Sequence, residues 1–220
     1  MTATLLIAGF GRFPGAPTNP SGTLARLLAR RRRIAFEDVA RVAHVFRTSY
    51  AAVDRDLPKL IEEHQPDAIV LFGLAGRTKY VRIELMARNA TSLLFPDVDG
   101  VVPPQSRIDP RAPSRRSGAA PFARLLSAAR MTRVSTRFSR DAGRYLCNYA
   151  YWRAIEAATK PGGPRLVLFV HVPKLRAGPR VRRGKHRAMM TAADLARVGE
   201  AIVLAVATAA TRSPARSCRP

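Results

Sequence analysis

Short apolar runs that end at glycine or proline alternate with stretches carrying leucines every three or four residues. That alternation restricts the chain to few architectures. Residues 4–9 (TLLIAG), 67–73 (DAIVLFG) and 165–172 (RLVLFVHV) read as strands, and 42–48 as a weaker one. Continuous apolar runs of this length suit strands covered on both faces. Between them, Ser21 is placed to cap a helix over 22–33, with Leu24, Leu27 and Leu28 on one face. Leu57, Leu60 and Ile61 mark a second helix over 54–64, stopped by Pro66, and 146–158 and 192–210 complete the set. Strands alternating with helices predict an α/β protein: a three-layer α/β/α sandwich around a mostly parallel twisted sheet. A single domain is expected over 1–211, with a disordered tail over 212–220. Segments 97–118 and 174–187 read as surface loops, the second holding seven Lys or Arg.

In such a sheet, functional groups gather at the carboxyl ends of the strands. Gly9, Gly73 and His171 all lie at such ends. Cys147 follows the small-residue turn Ser139-Arg140-Asp141-Ala142-Gly143 and opens a helical run. A thiol at a helix start benefits from unpaired N–H groups and the helix dipole, so a lowered thiol pKa is expected. With an imidazole beside it, the pair has the two parts of a cysteine hydrolase. Glu84 is the best candidate for orienting the imidazole. Taken singly, each residue also has a plainer reading: a structural cysteine, a satisfied core histidine, and a surface ion pair of Glu84 with Arg82 or Arg88.

Other chemistries find little support. Gly9-Phe10-Gly11 lacks the third glycine of a dinucleotide fingerprint, and no phosphate-binding loop is present. One cysteine with scattered histidines does not assemble a zinc site, so neither metal nor cofactor is expected. The 38 Lys+Arg against 15 Asp+Glu give a formal charge of +23, which raises the question of nucleic acid. The arginines are spread along the chain with few aromatics among them, so a solvated basic surface is the better reading. No apolar run is long enough for a membrane span, and residues 5–10 are too short for a signal peptide. Cys147 and Cys218 make no disulfide framework, which points to a reducing cytoplasm.

Four segments in order resemble one family. They are Gly9-Phe10-Gly11-Arg12-Phe13 with Asn19-Pro20-Ser21, the glycine turn followed by Glu84 and Asn89, the run from Ser139 to Cys147-Asn148, and Phe169-Val170-His171-Val172-Pro173. Together they resemble pyroglutamyl-peptidase I, also called pyrrolidone-carboxylate peptidase, a family of cytosolic cysteine exopeptidases. The resemblance implies a triad of Cys147 as nucleophile, His171 as acid/base and Glu84 orienting it. It also implies removal of an N-terminal pyroglutamyl residue from a blocked peptide through an acyl-enzyme. Phe10 and Phe13 match positions that hold the lactam ring, and Asn19 matches a residue linked to that pocket. The backbone N–H of Cys147, by the geometry of such turns, is expected to serve as an oxyanion donor. Association into homo-oligomers is common in the family. Leu74-Ala75-Gly76-Arg77-Thr78 departs from the family's Gln-Ala-Gly-Gly-Arg, Leu94 stands where an arginine is usual, and Pro14-Gly15-Ala16 replaces a glycine pair and an aromatic. These departures keep two alternatives open: a cysteine amidase for another small N-acyl or lactam group, and a silent, basic nucleic-acid-binding relative.

Overall fold

The continuous apolar runs form neighbouring strands of a six-stranded sheet. In the computed structural model, which describes residues 2–13, 15–175 and 190–212, β1 (Ala3–Phe10) pairs in parallel with β2 (Val39–Phe46) and with β3 (Ala68–Leu74). On its far side β3 pairs in parallel with β8 (Leu166–Val172). Beyond β8 the direction reverses: β4 (Val81–Glu84) runs antiparallel to β8, and β7 (Thr136–Ser139) is parallel to β4. The order β2-β1-β3-β8-β4-β7 is thus mostly parallel, as expected. A separate two-stranded ribbon pairs β5 (Met86–Arg88) with β6 (Arg115–Ser117).

The strand period of two divides the core between the faces. Leu5, Ile7, Val70, Phe72, Leu168 and Val170 face a layer built from α1 (Pro20–Arg30), α3 (Phe122–Met131) and α5 (Ala192–Arg212). Leu6, Ala8, Ile69, Leu71, Val167 and Phe169 face α2 (Tyr50–His64) and α4 (Leu146–Ala158), which contribute Val53, Leu57, Tyr151 and Trp152. Those are the three layers. The same parity puts Gly73, Glu84 and His171 on the α4 side.

Several boundaries differ from the sequence reading. Asn19, not Ser21, caps α1: its side-chain carbonyl accepts the Ser21 N–H at 3.1 Å, and Pro20 takes the first helical position. The buried Ser21 hydroxyl instead accepts the Phe10 N–H at 3.1 Å, tying α1 to the end of β1. α1 stops at Arg30 because Arg31 is extended. α2 begins four residues before the expected start, capped by Ser49. β2 lies three residues earlier at its start and ends at Phe46 rather than residue 48. Segment 97–118 is no plain surface loop. Asp97 is buried, with its carboxylate accepting the N–H groups of Tyr50, Asp99 and Val101, and β6 closes the segment. Most of the expected basic loop 174–187, and the expected tail apart from Arg212, lie outside the described residues.

Asn19→Ala should cost about 1 kcal/mol of stability, the usual penalty for losing a helix cap. Urea unfolding measures it; unchanged stability would mean the cap contributes nothing.

Candidate active site

Strand register assembles the site before any side chain is considered. Gly73 is the Cα partner of His171 across β3 and β8, while Arg82 is the partner of His171 and Glu84 the partner of Phe169 across β8 and β4. Glu84 is therefore diagonal to His171 on one sheet face, within side-chain reach. Glu84 Oε1 lies 2.7 Å from His171 Nδ1. Both residues are buried, Glu84 at 0% exposure. Since Nδ1–H donates to the carboxylate, the ring's Nε2 carries the lone pair.

Cys147 arrives from the other layer as the second residue of α4. A Cβ built on Gly73 would stand 2.7 Å from Cys147 Sγ and 2.6 Å from the Phe169 ring. Only glycine leaves the sulfur room to lie against the sheet here, at the register partner of His171. The turn that delivers Cys147 has its own glycine requirement. Gly143 adopts φ +87°, and its N–H donates to the Asp141 carboxylate at 2.9 Å. Asn148, fully buried beside Cys147, fixes the start of α4 to the segment after Glu84. Its amide donates to the carbonyls of Arg88 and Ala90, and its own carbonyl accepts the Arg88 N–H. Asn89 does the same for the next loop, donating to Asp109, Ala112 and Pro113 carbonyls.

The electrostatics correct one expectation. Cys147 is not lowered in pKa: desolvation first, and then the negative charge of Glu84, push its thiol up to about 12, against smaller downward effects of Arg82 and the residue's own N–H. A helix start is weak compensation for a sulfur packed on Phe169 and facing a carboxylate. His171 is lowered, chiefly by desolvation and against the hydrogen bond it donates to Glu84. The resting pair is therefore neutral thiol and neutral imidazole.

The family model of pyroglutamyl peptidase matches residues 3–212. The chain belongs to that family. It is 30% identical over 172 residues to the pyrrolidone-carboxylate peptidase of Gloeobacter violaceus, covering 78% of this chain and 82% of the relative. To that of Thermococcus onnurineus it is 29% identical over 172 residues, covering 77% and 82%. The fold is shared with the pyrrolidone carboxyl peptidase of Fervidobacterium islandicum AW-1, at TM-score 0.82 and 24% identity over 92% of this chain and 97% of that one. A mutant Pyrococcus furiosus enzyme gives 0.81 at 22% identity, over 94% and 99%. Family membership makes this chain a cysteine peptidase of the pyroglutamyl-peptidase type.

The residues expected around the lactam are spread over two environments. Phe13 is half-buried, its ring centroid 6.4 Å from that of Tyr145, two residues before Cys147. Phe10 is 3% exposed and packs on Phe46 at 5.8 Å, so it serves the core. Asn19 donates to the Gly11 carbonyl at 2.9 Å and so holds the turn that carries Phe13. Leu94 is 81% exposed and brings no charge to the site. Tyr145, which donates to the Pro96 carbonyl at 2.8 Å, escaped the sequence reading, and the Glu84–Arg82 ion pair, expected at the surface, is largely buried. Among the described residues no group of three or more His, Cys, Asp or Glu is placed to hold a metal, and no helix is long and apolar enough to cross a membrane.

A thiol held near 12 has a testable signature. Without substrate, the rate of Cys147 alkylation by iodoacetamide, followed by peptide mapping, should climb about tenfold per pH unit from 7 to 10. A plateau near neutrality would show a thiolate at rest and contradict the environment described.

Proposed function

We propose that this chain removes an N-terminal pyroglutamyl residue from peptides, with Cys147 as nucleophile, His171 as acid/base and Glu84 as the group that orients His171. One observation carries the reading: the 2.7 Å contact from Glu84 to His171 Nδ1, on the sheet face where Cys147 Sγ lies against Gly73. The chemistry follows from the neutral resting pair. As Sγ attacks the carbonyl carbon of the pyroglutamyl group, Nε2 takes the thiol proton, and Glu84 stabilises the imidazolium so formed. The tetrahedral oxyanion faces the start of α4, where the Cys147 N–H is available as a donor. Collapse breaks the C–N bond, and His171 returns the proton to the departing amine. A water then gives its proton to Nε2 and attacks the thioester, releasing 5-oxoproline and the free thiol.

On this reading Phe13, beside Tyr145, supplies an aromatic face for the lactam, and Asn19 with Phe10 supports the turn that presents it. We take the peptidase domain to run over residues 1–211, consistent with the family match over 3–212. The reading includes a cytoplasmic enzyme, association between copies of the chain, and no nucleic-acid partner. A second reading, hydrolysis of another small N-acyl or lactam amide by the same triad, rests on the departures from the family's pattern at Leu94, which is exposed and uncharged, and at Ala16, which is buried.

Release of a fluorescent amine from a pyroglutamyl amide tests the proposal. Cys147→Ser should lower turnover by about 10⁴-fold or more, and Glu84→Gln by about 10²- to 10⁴-fold, both with native circular dichroism. Full activity of Cys147→Ser removes it as nucleophile; release of an N-acetyl amide in preference to the pyroglutamyl one selects the second reading. The pH profile carries a sign. His171 must be neutral to accept the proton, and burial lowers its pKa, so the acid limb of kcat/KM should fall below 6.5. A limb above 6.5 would contradict the buried imidazole.

A further inference from the structure

Glu84 is buried on all sides, and an ionised carboxylate there needs compensation. Its Oε2 has no hydrogen-bond partner among the described residues, so compensation falls on Oε1. That oxygen receives His171 Nδ1 at 2.7 Å, Arg82 Nε at 2.9 Å and Arg82 Nη2 at 2.8 Å. Arg82 is the one permanently charged partner of Glu84 among the described residues. Its side chain is only 21% exposed, and the two-residue spacing on β4 puts it on the same face as Glu84.

The same guanidinium reaches the nucleophile turn. Arg82 Nη2 donates to the Asp141 carbonyl at 3.0 Å, six residues before Cys147. A second arginine holds the other end of Asp141, with Arg88 Nη2 3.3 Å from its carboxylate. Arg82 Nη2 also lies 3.2 Å from His171 Nδ1. Nδ1–H is already given to Glu84, so this approach is a contact between two donors, and its effect is electrostatic: a fixed positive charge beside the ring opposes imidazolium formation.

We propose that Arg82 is a positioning residue of the catalytic site, acting through Glu84 and the 139–145 turn to set the geometry and protonation of Cys147 and His171. This inference rests on the triad assignment above. Arg82 has two separable functions. Its charge balances Glu84, which a lysine preserves. Its planar fork joins Glu84 to the Asp141 carbonyl at once, which a lysine's single ammonium does not reproduce. The charged groups around His171 are Glu84 and Arg82 from β4 and Asp141 from the turn; those around Cys147 are Glu84 and Arg82. Removing the positive charge raises both pKa values.

The test compares Arg82→Met and Arg82→Lys with wild type in two assays. In the first, kcat and KM for a pyroglutamyl amide are followed against pH. In the second, substrate-free alkylation of Cys147 by iodoacetamide is followed by peptide mapping. Arg82→Met should lose about tenfold or more in kcat, move the acid limb to higher pH, and alkylate more slowly at any given pH. Arg82→Lys should lose kcat while keeping the wild-type acid limb and alkylation rate. Should Arg82→Met not fold, Arg82→Lys carries the test through its split between rate and pH profile. Wild-type kcat in Arg82→Lys, or Arg82→Met with an unmoved limb and unchanged alkylation, overturns the proposal. Alkylation needs no substrate, so wild type inactive on pyroglutamyl amides would fail the functional reading while leaving Arg82 still measurable.

Discussion

The rest of the site depends on one hydrogen bond buried in the sheet, from His171 Nδ1 to Glu84. Its two strands meet antiparallel, the one reversal in an otherwise parallel arrangement. That reversal sets Glu84 opposite Phe169 and diagonal to His171, so the carboxylate reaches the imidazole without a loop. Both groups leave water to make the contact, and the desolvation cost falls on the ionised partner. Arg82, two residues earlier on the same strand, brings a compensating charge at no further cost in topology.

This arrangement also explains how a peptidase works from a protonated thiol. A sulfur close to a carboxylate and an aromatic ring is poorly placed to hold negative charge at rest. The imidazole, with Nδ1 committed to Glu84, keeps its other nitrogen without a hydrogen-bond partner among the described residues. On the proposed mechanism the proton moves only as the sulfur commits to a carbonyl, and the charge formed on His171 meets Glu84 at 2.7 Å. The charge separation is postponed to the transition state, where the carboxylate is already in position.

Much of this was legible in the sequence, for physical reasons that can be named. The strands of the central core are continuous apolar runs, and Cys147, His171 and Glu84 were each picked out by their chemistry. What escaped was the antiparallel limb. β4 does alternate, as Val81-Arg82-Ile83-Glu84, but four residues are too few for the pattern to stand out. β5, β6 and β7 are three or four residues long, too short for a period to register. Ser21 looked like the helix cap because it has the right side chain. The actual cap lies two residues earlier, since Pro20 suits the first helical turn and Ser21 is drawn to the Phe10 backbone. The thiol's pKa was misread because a helix start is visible in sequence, whereas the packing of Phe169 and Glu84 around the sulfur is not.

The most direct test is to trap the acyl-enzyme. The protein is mixed with an excess of a pyroglutamyl ester, quenched in acid within one turnover, and mapped by peptide mass spectrometry. A 5-oxoprolyl thioester on the peptide containing Cys147, absent in Cys147→Ala, is the expected result. Hydrolysis that proceeds with no adduct, or with the adduct on another residue, would contradict the assignment of Cys147 as nucleophile.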